Sequence, residues 1–220
     1  EGHNTVIDGQ SQAPAAATPD MFETVSDDIA TRLETKGRRN TLGPLATATA
    51  GNLMAWAKAL NDYGTLSLAD AIAPAIRHAE RGFIVTPYLQ DCTKEVGADM
   101  AVDPLIASAF LPDGQPIKAG SRLVQGAYAE TLKAIQAEGP SALHGGSVGQ
   151  LIADYMTANG GILSLSDLAE YEPIERAPIR GQYRGVEIIG PPPPASGGVH
   201  VVQMLNILEG YDLAGMGYGA

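Results

Sequence analysis

Residues 139–188 read GPSALHGGSVGQLIADYMTANGGILSLSDLAEYEPIERAPIRGQYRGVEI, and the hydrophobic period changes once along them. Ser147, three residues before Gln150, has the form of a capping box, in which an N-cap hydroxyl satisfies an orphan N–H of the first turn. Val148, Leu151, Ile152, Tyr155 and Met156 follow on one helical face, and Gly160-Gly161 closes the run. Ser164 and Asp167 repeat the capping pattern for a shorter helix. From Ile179 to Ile189 the pattern turns to strand formers, Val186, Ile188 and Ile189, with Gly181 and Gly185 around Tyr183, which fits a hairpin or a paired strand. Helix and antiparallel strand in sequence, rather than in strict alternation, imply an α+β chain.

Working outward, the same signals recur. Leu53, Trp56, Ala57 and Leu60 predict a helix ended by Gly64; Ser67 and Asp70 cap a second, with Leu68, Ile72, Ile76 and Ala79 as its stripe and Gly82 beyond it. Pro74 inside that helix predicts a kink. Residues 83–121 are punctuated by Pro87, Pro104, Asp113-Gly114 and Pro116, so helical pieces joined by turns are expected. Tyr128, Leu132 and Ile135 mark another helix, stopped by Gly139-Pro140. After the proline run 191–194, Ser196 is placed to cap a helix carrying Val199, Val202, Leu205 and Leu208, with Gly210 at its end. At the other end, Asn4 to Asp8 is extended and leads into an Ala/Pro-rich loop, and Asp27 to Leu33 suits a short helix. No element is expected in the closing GMGYGA. The whole, 1–220, reads as a single incomplete domain.

Composition narrows the partners. Fourteen Lys and Arg against 25 Asp and Glu give a charge of -11, which repels phosphate backbones and anionic lipid, so neither nucleic acid nor membrane is expected as a partner. No apolar run is long enough to span a bilayer, and EGHNTVIDG has no signal-peptide pattern. The single cysteine, Cys92, excludes an intrachain disulfide and a CxxC site, and reads as a small buried or partly buried apolar residue. His3, His78, His144 and His200 are too dispersed for a metal-ligand spacing, so no metal and no cofactor are expected. His78, beside its apolar stripe, reads as a hydrogen-bonded structural histidine.

One local pattern does suggest chemistry. Gly145-Gly146-Ser147-Val148-Gly149 satisfies the GxSxG nucleophile elbow, with Asp154 or Asp167 and then His200 in the serine, acid, histidine order of an esterase. The elbow needs a hydrophobic strand running into the serine, whereas AEGPSALHG reads as a helix end and turn; the capping role explains Ser147 instead. Gly197-Gly198 could offer backbone N–H groups to an anion, but with no Lys or Arg in that turn, close packing of helix on strand is the expected use.

Several segments taken together carry a resemblance. IDGQSQAPAAATPDMF (7–22), YGTLSLADAIAPAIRHAERGFIV (63–85), the whole stretch 139–188 and PPPPASGGVHVVQMLNILEGYDL (191–213) resemble, in order, the large chain of γ-glutamyltranspeptidases and the related cephalosporin acylases. The resemblance implies the helix-rich large-chain portion, with a few strands, of an αββα N-terminal-nucleophile hydrolase sandwich. In that family one precursor cuts itself into two chains. The small chain's new N-terminal threonine attacks a γ-glutamyl or related amide, glutathione among them, with its own α-amino group as base, and the acyl group passes to water or an amine. The family's Thr-Thr-His or Ser-Thr-His run, its Gly-Gly oxyanion segment and its serine-rich clamp have no counterpart in this chain, nor does its helical N-terminal segment. This chain is therefore expected to contribute no catalytic residue, to be inactive alone, to pair with the small subunit of its own precursor, and to work outside the cytoplasm.

A departure from the family bears on substrate. The resemblance places an arginine, which forks onto the glutamyl α-carboxylate, within a run like Asp-x-Arg-x-x-Ala-Pro; here Asp8-Gly9-Gln10-Ser11-Gln12-Ala13-Pro14 puts Gln10 in its place. Loss of such charged hydrogen bonds removes about 1.5–3 kcal/mol each, so Gln10 is the expected substrate-contacting residue, with a plain loop residue as the alternative, and γ-glutamyl binding is expected to be weakened unless another cation substitutes. A non-enzymatic scaffold that has lost self-processing is the alternative, and the Ser147 esterase a third.

Overall fold

The computed structural model describes residues 2–219. In chain order its elements are β1 (Val6–Asp8), α1 (Asn52–Tyr63), α2 (Leu68–Arg81), β2 (Phe83–Ile84), α3 (Pro87–Glu95), α4 (Gly97–Met100), α5 (Pro104–Phe110), β3 (Arg122–Leu123), α6 (Gly126–Glu138), α7 (Ser147–Ala158), α8 (Leu165–Ala169), β4 (Ile174–Arg176), β5 (Ile179–Tyr183), β6 (Val186–Gly190), α9 (Gly197–Glu209) and α10 (Leu213–Met216). They group into two units, Ser11–Tyr171 and Glu1–Gln10 with Glu172–Ala220.

The larger unit is helical because its apolar stripes meet one another. Ile76 and Ala79 of α2 pack on Ala129 and Leu132 of α6, and Leu53, Ile135 and Val148 join α1, α6 and α7 around the fully buried Ala142. Ser67 caps α2 by accepting the Asp70 N–H, and the helix runs unbroken through Pro74. Ser164 and Asp167 form the expected capping box at α8, and Asp167 also accepts the Ala15 N–H at 2.7 Å, tying the N-terminal loop to that turn. The carboxyl of Asp167 is held below its ordinary value: burial pushes it up, but the Ala15 and Ser164 hydrogen bonds together outweigh that. Between α2 and α6 the helical pieces α3, α4 and α5 appear as the prolines suggest, along with a two-residue antiparallel pair, β2 with β3, too short to leave a periodic signal.

Asp27 to Leu33 is not helical. Ser26 and Asp28 hold the N–H groups of Asp28 and Ala30, and the backbone pairs Val25 N–H with Glu34 O and Lys36 N–H with Glu23 O, closing a looped ribbon through the Thr24–Thr35 bridge. Short polar side chains that satisfy their own backbone compete with a helix, and over seven residues they win.

The smaller unit is built on two antiparallel ribbons. β1 pairs with β4 in the register Val6–Arg176, Ile7–Glu175 and Asp8–Ile174. β5 and β6 form the expected hairpin, closed by Arg184 (φ 50) and Gly185 (φ 80), the double positive φ of a type I′ turn. The Arg184 N–H donates to Glu209 at 2.6 Å and its guanidinium to the Tyr211 carbonyl at 3.1 Å, fastening the turn to the end of α9. At the start of α9 helix and hairpin meet backbone to backbone: a β-carbon on Gly198 would lie 2.2 Å from the Pro191 carbonyl oxygen, and one on Gly190 2.7 Å from the Gly198 Cα, while further along Val202 packs on Gly181 of β5. Gly198 thus has the close-packing use foreseen for the Gly197-Gly198 pair, whereas a β-carbon on Gly197 would meet nothing within 4 Å. Ser196 stands at the start of α9 in helical conformation and makes no capping bond with its side chain, so the glycine contact, not a cap, sets where the helix begins. α10, capped by Asp212 accepting the Gly215 N–H, is an element the glycine-rich ending does not announce.

Gly198→Ala is expected to lower the stability of the whole protein by about 1–3 kcal/mol, the usual cost of overpacking a tight contact. Chemical denaturation reads this directly, and an unchanged midpoint would contradict the role of glycine in the helix–hairpin contact.

Candidate functional site

The serine of the GxSxG run is not an elbow. Residues 139–142 form a 3-10 turn directly ahead of it, and α7 opens with Gly146 as N-cap and Ser147 already inside the helix. The capping box expected from Ser147 and Gln150 is therefore absent: a hydroxyl on the first helical residue is set too far along to reach back over the first turn. Ser147 Oγ lies 3.4 Å from a Glu138 carboxylate oxygen, and Gln150 donates instead to Asp154 at 2.7 Å. The glycines have their own cause, since β-carbons on Gly146 and Gly149 would fall 2.5 Å and 2.3 Å from the carbonyl oxygens of Ser141 and Leu143. The esterase acids are engaged as well, Asp154 with Gln150 and Asp167 in its cap.

The histidines do not converge on Ser147 either. His144 is buried, with Nδ1 2.8 Å from the Leu168 carbonyl and its ring 5.8 Å from that of Tyr171; a carbonyl only accepts, so Nδ1 carries the proton, and the bond joins the start of α7 to α8. His78 is exposed in the last turn of α2, not buried beside its stripe; a position one step off the face is enough to turn the ring to water. His3 and His200 are also exposed. Cys92 is half-buried, as expected.

Between α1, α2, α6 and α7 the larger unit leaves an open apolar cavity of about 760 Å³ lined by Leu53, Trp56, Leu68, Tyr128, Ile135 and Val148 among others. Trp56 is 61% exposed on its rim. Such a lining can hold apolar surface but contains no acid–base couple.

The run that ends β1 is organised differently. Asp8 closes the strand with its side chain only 11% exposed, and its two carboxylate oxygens have separate tasks. Oδ1 accepts the Gln10 N–H at 3.0 Å, the two-residue Asx turn that bends the chain away from the strand; Oδ2 accepts Nε of Arg176 on β4 at 2.7 Å. The Gln10 N–H first, and the Arg176 hydrogen bond second, hold the Asp8 carboxyl below its usual range. Gln10 itself is exposed at the turn so formed. Its carboxamide offers both a donor and an acceptor and no charge, where an arginine would offer a charged fork. Asp8 and Arg176 are the residues that sequence reasoning missed. They lie 168 residues apart, and only the β1–β4 register brings them together.

Comparison with known proteins places the chain as a whole. The family model described as gamma-glutamyltranspeptidase matches residues 1–220. The chain is 53% identical over 220 residues to the acylase ACY 1 proenzyme of Pseudomonas sp. (strain V22), covering 100% of this chain and 39% of that relative. It is 39% identical over 220 residues to the glutathione hydrolase proenzyme of Escherichia coli (strain K12), covering 100% of this chain and 37% of that relative. Among solved structures, the gamma-glutamyltranspeptidase of Helicobacter pylori superposes with a TM-score of 0.91 at 34% identity, over 100% of this chain and 61% of that one. The chain thus spans about two-fifths of the length of the curated relatives it matches.

Two outcomes are expected. Ser147→Ala in the full-length protein should leave turnover unchanged and stability within about 0.5 kcal/mol, as at an ordinary surface site; loss of fluorophosphonate labelling together with turnover would restore the elbow. Asp8 has a lower pKa folded than unfolded, so its contribution to stability is fully present above the unfolded value of about 3.9 and is lost as pH falls through the folded one. Asp8→Asn should therefore flatten the acid limb of the melting temperature against pH, and a limb parallel to wild type would show that Asp8 carries none of it.

Proposed function

Because the chain belongs to the gamma-glutamyltranspeptidase family, we propose that it forms the large-chain part of an amide hydrolase or acyltransferase whose N-terminal threonine nucleophile lies elsewhere in the same precursor. The coverage of its relatives supports this, since proteins of this length of match are proenzymes more than twice as long. The reaction is acyl transfer: threonine oxygen attacks the amide carbonyl, the amine leaves with a proton, and water or a second amine takes the acyl group. In this reading the chain supplies one wall of the acyl pocket.

Its partner is the small subunit of its own precursor. Among the described residues, the buried apolar side chains lie between Leu53 and Tyr171 apart from Pro14, while α9 leaves Val201, Met204 and Ile207 exposed along one face. An exposed apolar helix face of this kind is suited to be covered by another segment. The two units are then parts of one domain that the small chain completes. Among the described residues no helix is long and apolar enough to cross a membrane; the extracytoplasmic location follows from the family likeness.

The single observation that carries the substrate reading is Gln10, exposed at the Asx turn where the family resemblance places the carboxylate-binding arginine. The higher identity to an acylase than to a glutathione hydrolase points the same way. The favoured substrate is an amide whose acyl group is not gripped by an arginine fork, and a γ-glutamyl amide is a poor one.

Hydrolysis of three anilides by the processed full-length enzyme tests this: γ-glutamyl, glutaryl, which keeps the terminal carboxylate without the ammonium, and butanoyl, which has neither. Wild type should disfavour γ-glutamyl. Gln10→Arg should raise kcat/KM for the two carboxylate-bearing substrates by about 10- to 100-fold, the equivalent of one charged hydrogen bond or two, and leave butanoyl unchanged. Equal response of all three would remove Gln10 from the pocket, and an uncut protein inactive on every amide would favour the scaffold reading.

A further inference from the structure

Asp8 is shielded from solvent yet does not close a core: it stands at the last residue of a three-residue strand, and both of its oxygens shape the turn beyond it. Oδ1 draws in the backbone N–H of Gln10, and Oδ2 holds Nε of Arg176 from the neighbouring strand. Arg176 lies opposite Val6, two residues before Asp8, so its guanidinium must reach along the ribbon to meet the carboxylate. That diagonal contact fixes the carboxylate plane, and the carboxylate plane fixes the direction in which the chain leaves β1. β1 pairs with β4 alone among the described strands, through three residues of ladder, and past the turn the chain is next held by the Gln12–Thr49 bridge. Side chains brace the ribbon further back: Thr5 donates to Glu175, and Arg180 reaches Asn4 at 3.1 Å.

We infer that the Asp8–Arg176 pair is the positioning device of the acyl pocket: it sets the turn on which Gln10 meets the substrate, so that acyl recognition depends on two residues that need not touch the substrate at all. The inference rests on the reading that Gln10 contacts the acyl group. A pair acting through Gln10 behaves differently from a mere structural contact. Removing Asp8 leaves Gln10 with nothing further to contribute, and the two substitutions are not additive. Arg176 acts one step further out and should show the same dependence in weaker form.

The test is a double-mutant cycle in the processed full-length enzyme, using the anilide that wild type hydrolyses best. Asp8→Ala is expected to raise KM about tenfold with little change in kcat, Gln10→Ala to raise it comparably, and the double variant to be no worse than Asp8→Ala. Asp8→Asn, which keeps an oxygen for the Gln10 N–H, should recover most of the loss, and Arg176→Gln should fall between. Where Asp8→Ala fails to process, the cycle is read with Asp8→Asn and Arg176→Gln against Gln10→Ala, and the same non-additivity is expected. Independent, additive effects of Asp8 and Gln10 on KM would overturn the positioning role while leaving Gln10 in the pocket. A lowered melting temperature with KM unchanged in the Asp8 and Arg176 variants would also overturn it, by reducing the pair to a fold contact. No effect of Gln10→Ala on any acyl anilide would instead remove the pocket reading on which the inference stands.

Discussion

A carboxylate shared between a backbone N–H two residues on and a guanidinium 168 residues away holds the smaller unit at its start. Asp8 is nearly shielded from solvent, and a carboxylate in that position is stable only because both oxygens are bonded, one to a charged partner. That pairing supports the register of β1 on β4, the turn after Asp8 and the exposed place of Gln10. The hairpin of β5 and β6 and the helix α9 then pack through glycine, backbone against backbone. The helices of the larger unit bury their stripes on one another in the ordinary way.

Two kinds of contact divide what the sequence reveals from what it hides. Helices with a long apolar stripe and a glycine stop, such as α1, α2 and α6, are legible because their cause is local and periodic, and the type I′ hairpin because Arg184-Gly185 sits between strand formers. The resemblance carried by 139–213 is legible for the same reason: it is a long run of adjacent residues. The sequence misleads where a side chain has two plausible partners. Ser147 fits a capping box by spacing, but the backbone places the cap one residue earlier, on Gly146. Asp27 to Leu33 suits a short helix by sequence, but Ser26 and Asp28 turn out to bind their own backbone in a loop.

The candidate site falls on the hidden side of that division. Gln10 stands out because it breaks a pattern known from relatives, but its neighbours do not. Neither Asp8 nor Arg176 is distinguished by composition, and their meeting depends on a two-strand ribbon formed from opposite ends of the chain. Histidine positions mislead in the same sense: His144, for which the sequence offers no structural role, is the one that is buried and bonded, while His78 faces water. Chemistry that depends on long-range pairing leaves no periodic trace, and a single sequence gives no way to see it.

The central claim is that this chain is one part of a self-processing enzyme, shaping an acyl pocket for a nucleophile carried on another segment. Intact-mass analysis of the full-length precursor after expression, with sequencing of the new chain ends, tests it most directly. Two chains are expected, the second beginning with threonine, with the present residues wholly within the first. A single uncut chain, or a cut that places these residues in the same product as the nucleophile, would contradict it.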